Sequence, residues 1–257
     1  AGVKAVKEKL PKIIREKKVD FVILNGENAA DSGRGITKKI FEEFLEAGAD
    51  VITTGNHVWD HKDAEDIASK NQKFLRPLNL PKDSPGNGEG IFVKNGKRFI
   101  VLNLMGNVFM KKCDDVFVEA KKFLDRFKLG NGKADFIIVD MHGEITSEKM
   151  AMGHLFDGKA TMVVGTHTHV PTSDHRIMEK GTAYQTDLGM SGDYNSVIGM
   201  NKDNSLKKFL KDSSAENHFP ALGEATISGL LVTADDKTGL AKKVQPIILG
   251  GSLQERV

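Results

Sequence analysis

The sequence predicts an α/β fold that mixes parallel and antiparallel sheet, and three observations carry the prediction. A helical stripe leads into a short apolar run four times along the chain. Those runs are continuous rather than alternating, as expected of strands buried on both faces. Two further segments read as hairpins, one of them around Asn95-Gly96, a strong short-range signal for antiparallel pairing. Helix–strand alternation argues for parallel βαβ units. The hairpins add antiparallel strands to them.

In chain order, Val3, Val6, Leu10, Ile13 and Ile14 form a helical stripe over 3–14, with lysines between them. "VDFVILNGEN" (19–28) is a β-rich run that stops at polar residues. "KKIFEEFLEAG" reads as a helix closed by Gly48 and leads into "ADVITTGNH" (49–57). "PKDSPGNGEG" (81–90) reads as a surface loop, and "GIFVKNGKRFIVLNLMG" (90–106) as the Asn-Gly hairpin. "DVFVEAKKFLDRFK" then precedes the strand "ADFIIVDMHGE" (134–144), and "TSEKMAMGHLF" precedes "ATMVVGTHTH" (160–169). Residues 225–249 read as a last hairpin around an Asp/Gly turn. No linker interrupts the pattern, so 1–257 is read as one domain.

Composition excludes several classes of protein. A chain of 257 residues with net charge +2 and intermixed signs carries no dedicated nucleic-acid surface. No apolar run nears the roughly 20 residues that span a bilayer, and no secretory leader is evident. Cys113 is the single cysteine, which forbids an intrachain disulfide and suits a reducing cytoplasm. It is read as an incidental thiol in a polar loop. With no coiled-coil seam, oligomeric state stays open and a homo-oligomer is compatible with the sequence.

Ligands of open α/β sheets bind outside the carboxyl ends of the strands. Those ends carry Asn25, Glu27 and Asn28; Asn56 and His57; Asp140 and His142; and His167 and His169. "GEN" and "GNH", each taken alone, also read as a turn with a helix N-cap, and His142 alone as a hydrogen-bonded structural histidine. His167 and His169, two residues apart in an extended chain, point the same way. Imidazoles, a carboxylate and a carboxamide together suit Mn, Fe or Zn, and they exceed the needs of one tetrahedral zinc. Two metals sharing a bridging carboxylate would use them all. Two divalent ions about 4 Å apart clamp in-line attack on phosphorus and activate a water as the nucleophile. No nucleophilic serine motif competes with that reading.

"NGEN", "TGNHVWD", "DMHGEITSEK" and "GTHTHVPTSD", in this order and spacing, resemble the calcineurin-like metallophosphoesterases and, within them, the bacterial YmdB-like phosphodiesterases. "RPLNLP", "KGTAY" and "TDLGM" extend the resemblance over essentially the whole chain. It implies two mixed β-sheets packed as a sandwich and flanked by helices, with a dinuclear site of two divalent or mixed-valence ions, commonly iron or manganese. It also implies that Glu27 bridges the metals, that Asn56, His142 and His167 ligate one, and that His169 ligates the other. Asn28 and His57 would hold the phosphate, with His57 as proton donor to the leaving oxygen. The family opens with a strand ending in Gly-Asp, whose Asp shares a metal with His169. That position falls about thirty residues before Glu27, one strand and turn upstream of Ala1, so the resemblance implies a first strand preceding the chain.

The function implied is hydrolysis of a small phosphodiester, 2′,3′-cyclic nucleotides especially, by a metal-bound hydroxide. The alternative is a metal- and nucleotide-binding regulatory protein with little turnover. The other residues take ordinary readings: His61 solvated, His154 in helix packing, His218 in a loop, and His175 a candidate for the pocket rim. Asp60 and Asp140 are read as supports for histidines rather than as ligands. "DLGMSG" (187–192) is either a pocket wall or a tight turn.

Overall fold

The computed structural model describes residues 1–130 and 132–256. The chain runs α1 (Gly2–Lys17), β1 (Ile23–Asn25), α2 (Lys38–Glu46), β2 (Val51–Thr53), α3 (Ala64–Lys70), β3 (Phe74–Leu75), β4 (Glu89–Lys94) and β5 (Lys97–Met105). It continues through α4 (Val116–Arg126), β6 (Phe136–His142), α5 (Thr146–Phe156), β7 (Met162–Thr166), β8 (Arg176–Ile177) and β9 (Ala183–Gln185). It closes with α6 (Lys202–Phe209), β10 (Ile227–Ala234) and β11 (Ala241–Leu249).

Three sheets form. β1, β2 and β3 pair in parallel. A six-stranded sheet has the order β4-β5-β6-β7-β9-β8, parallel from β5 through β9 and antiparallel at both edges. β10 and β11 form an antiparallel ribbon that shares a core with α1.

Strand periodicity sorts side chains into three cores and so builds the sandwich. Ile100, Leu102 and Leu104 of β5 and Ile137, Val139 and Met141 of β6 pack outward against α4 and α5. The intervening residues, Phe99, Val101, Phe136 and Ile138, face inward and meet Phe21, Ile23 and Val51 of the three-stranded layer. Phe21 stacks on Phe99 with ring centroids 4.2 Å apart. Leu24 and Ile52 point the other way, into a core with α1, α2 and α3. All seven residues of β6 are buried, which is why its sequence reads as a continuous apolar run.

The inward row of β6 continues from Phe136 and Ile138 to Asp140 and His142. The space between the sheets is therefore apolar at one end and polar at the other. The predicted strand ends do not lie side by side in one sheet: β1 and β2 belong to the small sheet, β6 and β7 to the large one. They converge across the sandwich instead. The predicted hairpin at 90–106 is β4–β5, with Asn95 and Gly96 both left-handed at φ 51° and 74°, as its two-residue turn requires. The first strand is shorter than its apolar run, three residues of 19–28. Among the described residues no helix is long and apolar enough to cross a membrane.

Candidate metal centre

One buried carboxylate ties the strand ends together. Asp140, 3% exposed, accepts hydrogen bonds from Asn25 Nδ2 of β1 at 3.0 Å, Thr53 Oγ1 of β2 at 2.6 Å and Thr166 Oγ1 of β7 at 2.7 Å. Burial pushes its pKa up, while these three donors pull against that shift. The inferred supporting role of Asp140 thus takes a specific form: it joins both sheets just below the histidines.

Above it, His142 Nε2 lies 2.8 Å from Asn56 Oδ1, 3.1 Å from His167 Nδ1 and 3.2 Å from Glu27 Oε1. Glu27, His142 and His167 each offer a ligand atom, and the three atoms lie within 4.8 Å of one another. The hydrogen bonds behind the rings decide what those atoms are. Thr166 spends its hydroxyl proton on Asp140, so its oxygen accepts from His142 Nδ1 at 3.0 Å. His167 Nε2 faces the Glu144 carboxylate at 3.1 Å, and His169 Nδ1 faces the carbonyl of Ile198 at 2.8 Å. In their neutral forms all three imidazoles therefore turn a lone pair inward, as metal-ligating histidines do when an outer partner fixes the tautomer.

Lone pairs crowded at van der Waals distance repel unless a cation sits among them. A proton on His142 Nε2 can point at only one of its three neighbours, whereas a metal ion satisfies them all. The donor set, nitrogen and oxygen without thiolate, fits a divalent first-row metal. Charge also couples the members of the cluster. Burial alone would raise Glu27, but the charge and hydrogen bond of His142 outweigh it and hold the carboxyl at about 2. Burial opposes charge on His142, yet Glu27 raises its pKa, and His167 is pushed down by burial and by His142 beside it.

The second oxygen of Glu27 faces elsewhere. Asn28 Nδ2 lies 3.5 Å from Glu27 Oε2 and 3.2 Å from His169 Nε2, and Asn28 Oδ1 is buried without a hydrogen-bond partner among the described residues. Glu27 thus turns one oxygen to His142 and the other to Asn28. The backbone N–H of His57 donates to Glu27 Oε1 at 2.7 Å, while its Nδ1 meets Asp60 Oδ2 at 2.6 Å. Burial would raise Asp60, but His57 and Lys111 hold it below its usual range. All seven predicted site residues are assembled in this one place.

Comparison with known proteins decides the family. The sequence matches the family described as YmdB-like protein over residues 1–247. The chain belongs to the YmdB-like family. It is 42% identical over 248 residues to the 2′,3′-cyclic-nucleotide 2′-phosphodiesterase of Bacillus subtilis (strain 168), covering 96% of this chain and 92% of that protein. Its fold superposes on a novel phosphatase from Mycoplasma pneumoniae with TM-score 0.88 at 35% identity, covering 97% and 89% of the two chains. A hypothetical protein from Thermus thermophilus gives TM-score 0.87 at 37% identity, covering 96% and 93%.

Three features of this YmdB-like site escaped the sequence reading. The HxH turn itself is strained, with His167 at φ 108° and His169 at φ 66°, values that non-glycine residues seldom adopt. Asp187 braces it: Oδ2 accepts from the backbone N–H of Thr168 at 3.0 Å and Oδ1 from that of Gly189 at 2.9 Å. The 187–192 segment is therefore a support beneath the turn. Asp187 is in turn paired with Lys149 Nζ at 2.9 Å, both side chains being about 1% exposed. Nothing in "TSEKMAMGH" distinguishes Lys149 from a solvated helix lysine. Glu144 was legible only as part of the motif "DMHGE".

The leftover residues need some correction. His154 is exposed rather than packed, and His61 is half-buried with Nδ1 accepting from the backbone N–H of Asp63 at 3.2 Å. His218 is an exposed loop residue. His175 is half-buried and stands outside the ligand cluster. Cys113 lies in the β5–α4 loop as expected, but half-buried against the α1–α3 core. Burial pushes its thiol up to about 11, which leaves it protonated and unreactive.

Gly55 makes a sharp prediction. A Cβ added there would fall on His142 Nε2, so only glycine lets that ring reach the cluster. Gly55→Ala is expected to bind metal about 10- to 100-fold more weakly. Metal content after dialysis, beside a circular-dichroism melt, checks this; wild-type content in the variant would show that the ring has another way in.

Proposed function

We propose that the chain is a metal-dependent phosphodiesterase acting on small phosphodiesters, 2′,3′-cyclic nucleotides in particular. The observation that carries this reading is the convergence of Glu27, Asn56, His142 and His167 from four strand ends on one point, each histidine fixed from behind. The activity named for the Bacillus subtilis relative supplies the substrate class. Asn56, His142, His167 and Glu27 Oε1 would hold one ion, and Glu27 Oε2 with His169 would contribute to a second, iron or manganese suiting both sets. When bound, such ions polarise the phosphoryl oxygens and supply an activated water as nucleophile.

The chain's own residues do the rest. Asn28, beside both Glu27 and His169, would orient the phosphodiester. Asp60 is acceptor-only when ionised, so it fixes the proton of His57 on Nδ1 and leaves Nε2 to protonate the departing ester oxygen. The ring acts as the acid in its doubly protonated form, with Nδ1–H donated to Asp60 and Nε2–H available to the leaving oxygen. Water attacks phosphorus, the P–O ester bond breaks, the Nε2 proton of His57 caps the leaving oxygen, and the proton shed by the water passes to solvent, from which the ring is reprotonated. The single free thiol, held protonated, suits a reducing cytoplasm.

The test is hydrolysis of 2′,3′-cyclic AMP by metal-stripped protein before and after reloading with Mn²⁺. Turnover that appears only on reloading is expected. Tight nucleotide binding without product in the reloaded protein would instead favour a regulatory binding protein.

A further inference from the structure

The loop between β5 and α4 crosses the rim of this site and is tied to it at both ends. At one end the backbone N–H of Gly106 donates to the carbonyl of His142 at 2.8 Å. At the other, Lys111 Nζ meets Asp60 Oδ1 at 3.2 Å, on the same carboxylate that holds His57. Between them the N–H of Asn107 donates to Glu148 Oε1 at 3.0 Å, and Asn107 Oδ1 accepts from the N–H of Val116 at 2.9 Å. Chain reach confines everything between these anchors. At about 3.5 Å per residue, Phe109 stands within about 7 Å, Cα to Cα, of Lys111.

Phe109 has no packing role that explains it. Its side chain is 85% exposed, whereas the next residue, Met110, turns into the core. Its backbone is left-handed at φ 60°, an outlier for a bulky residue. Strain of this kind persists where the surroundings enforce it, typically at ligand clamps, and here the loop's four hydrogen-bonded anchors enforce it. An aromatic ring kept in water on a loop anchored to a phosphodiester site can serve as a stacking platform for a nucleobase.

We propose that Phe109 is the stacking platform for the base of the nucleotide whose phosphate the site holds. This rests on the phosphodiesterase reading. In a 2′,3′-cyclic nucleotide the base is carried on the ribose carbon next to C2′, so a phosphate at the cluster leaves the base one sugar ring away, over the rim. Stacking tolerates every base because each has a π-face. The proposal therefore predicts weak discrimination among bases but strong dependence on having one.

The experiment compares 2′,3′-cyclic AMP with glycerol 1,2-cyclic phosphate, which has the cyclic diester and no base, across Phe109→Ala, Phe109→Leu and Phe109→Trp. Phe109→Ala and Phe109→Leu are expected to raise KM for 2′,3′-cyclic AMP about tenfold relative to their effect on the base-free substrate, and Phe109→Trp to restore it. Equal changes on both substrates would mean that Phe109 only shapes the loop and would overturn the proposal. Equilibrium binding of 3′-AMP against glycerol 1-phosphate supplies the same comparison without turnover. A protein that hydrolyses neither diester would refute the phosphodiesterase reading, and the binding arm would still decide for or against Phe109.

Discussion

Replacing His57 with alanine is expected to lower turnover of 2′,3′-cyclic AMP by about two to four orders of magnitude, the usual worth of a general acid, with metal content nearly unchanged. The separation of the two effects follows from the geometry. What His57 gives Glu27 is its backbone N–H, at 2.7 Å, and alanine keeps that bond. What it gives the reaction is an imidazole aimed by Asp60, which alanine removes. Steady-state kinetics beside elemental analysis of the dialysed variant measure both. Unchanged turnover would take His57 out of the chemistry, and a parallel loss of metal would make it structural. Asp60→Asn should reproduce part of the kinetic loss, because an amide can donate as well as accept and no longer fixes the proton of His57 on Nδ1.

Lys149→Met should be the most destabilising of the substitutions considered, costing about 3–5 kcal/mol, as removal of one partner of a buried ion pair does. Methionine fills most of the space of the lysine stem but leaves Asp187 charged and about 1% exposed. The N–H groups of Thr168 and Gly189 still reach that carboxylate, which places the cost at the lower end of the range. Gly165 explains how the lysine gets there: a Cβ at that position would collide with the Lys149 stem and with the carbonyl of Thr186. Urea denaturation followed at two wavelengths measures the loss. A change below about 1 kcal/mol would place the pair in the class of solvated surface bridges. Because Asp187 also holds the strained HxH turn, metal affinity is expected to fall with stability.

The sequence by itself determined the elements and the identity of the ligand-capable residues. Periodicity alone was enough to find α1, α2, α4, α5 and both long hairpins, since a helix or strand with a buried face must repeat its apolar residues at 3.6 or 2. It missed α3 and α6 and the strands β3, β8 and β9, segments of two to eight residues that show little or no period. Strand-end residues were legible because parallel βαβ units deliver every strand's carboxyl end to the same edge.

The tertiary structure alone decided how those ends meet. The bond from Asn25 to Asp140 joins residues 115 positions apart, across two sheets, and no local pattern encodes such a contact. The same holds for the tautomers of the three histidines, set by Thr166, Glu144 and the carbonyl of Ile198. It holds for the burial of Lys149 and for the loop that keeps Phe109 in water. Local sequence specifies which face a residue occupies; what it meets there depends on chain brought in from elsewhere, and that is where hydrogen bonds and charge give the residue its role.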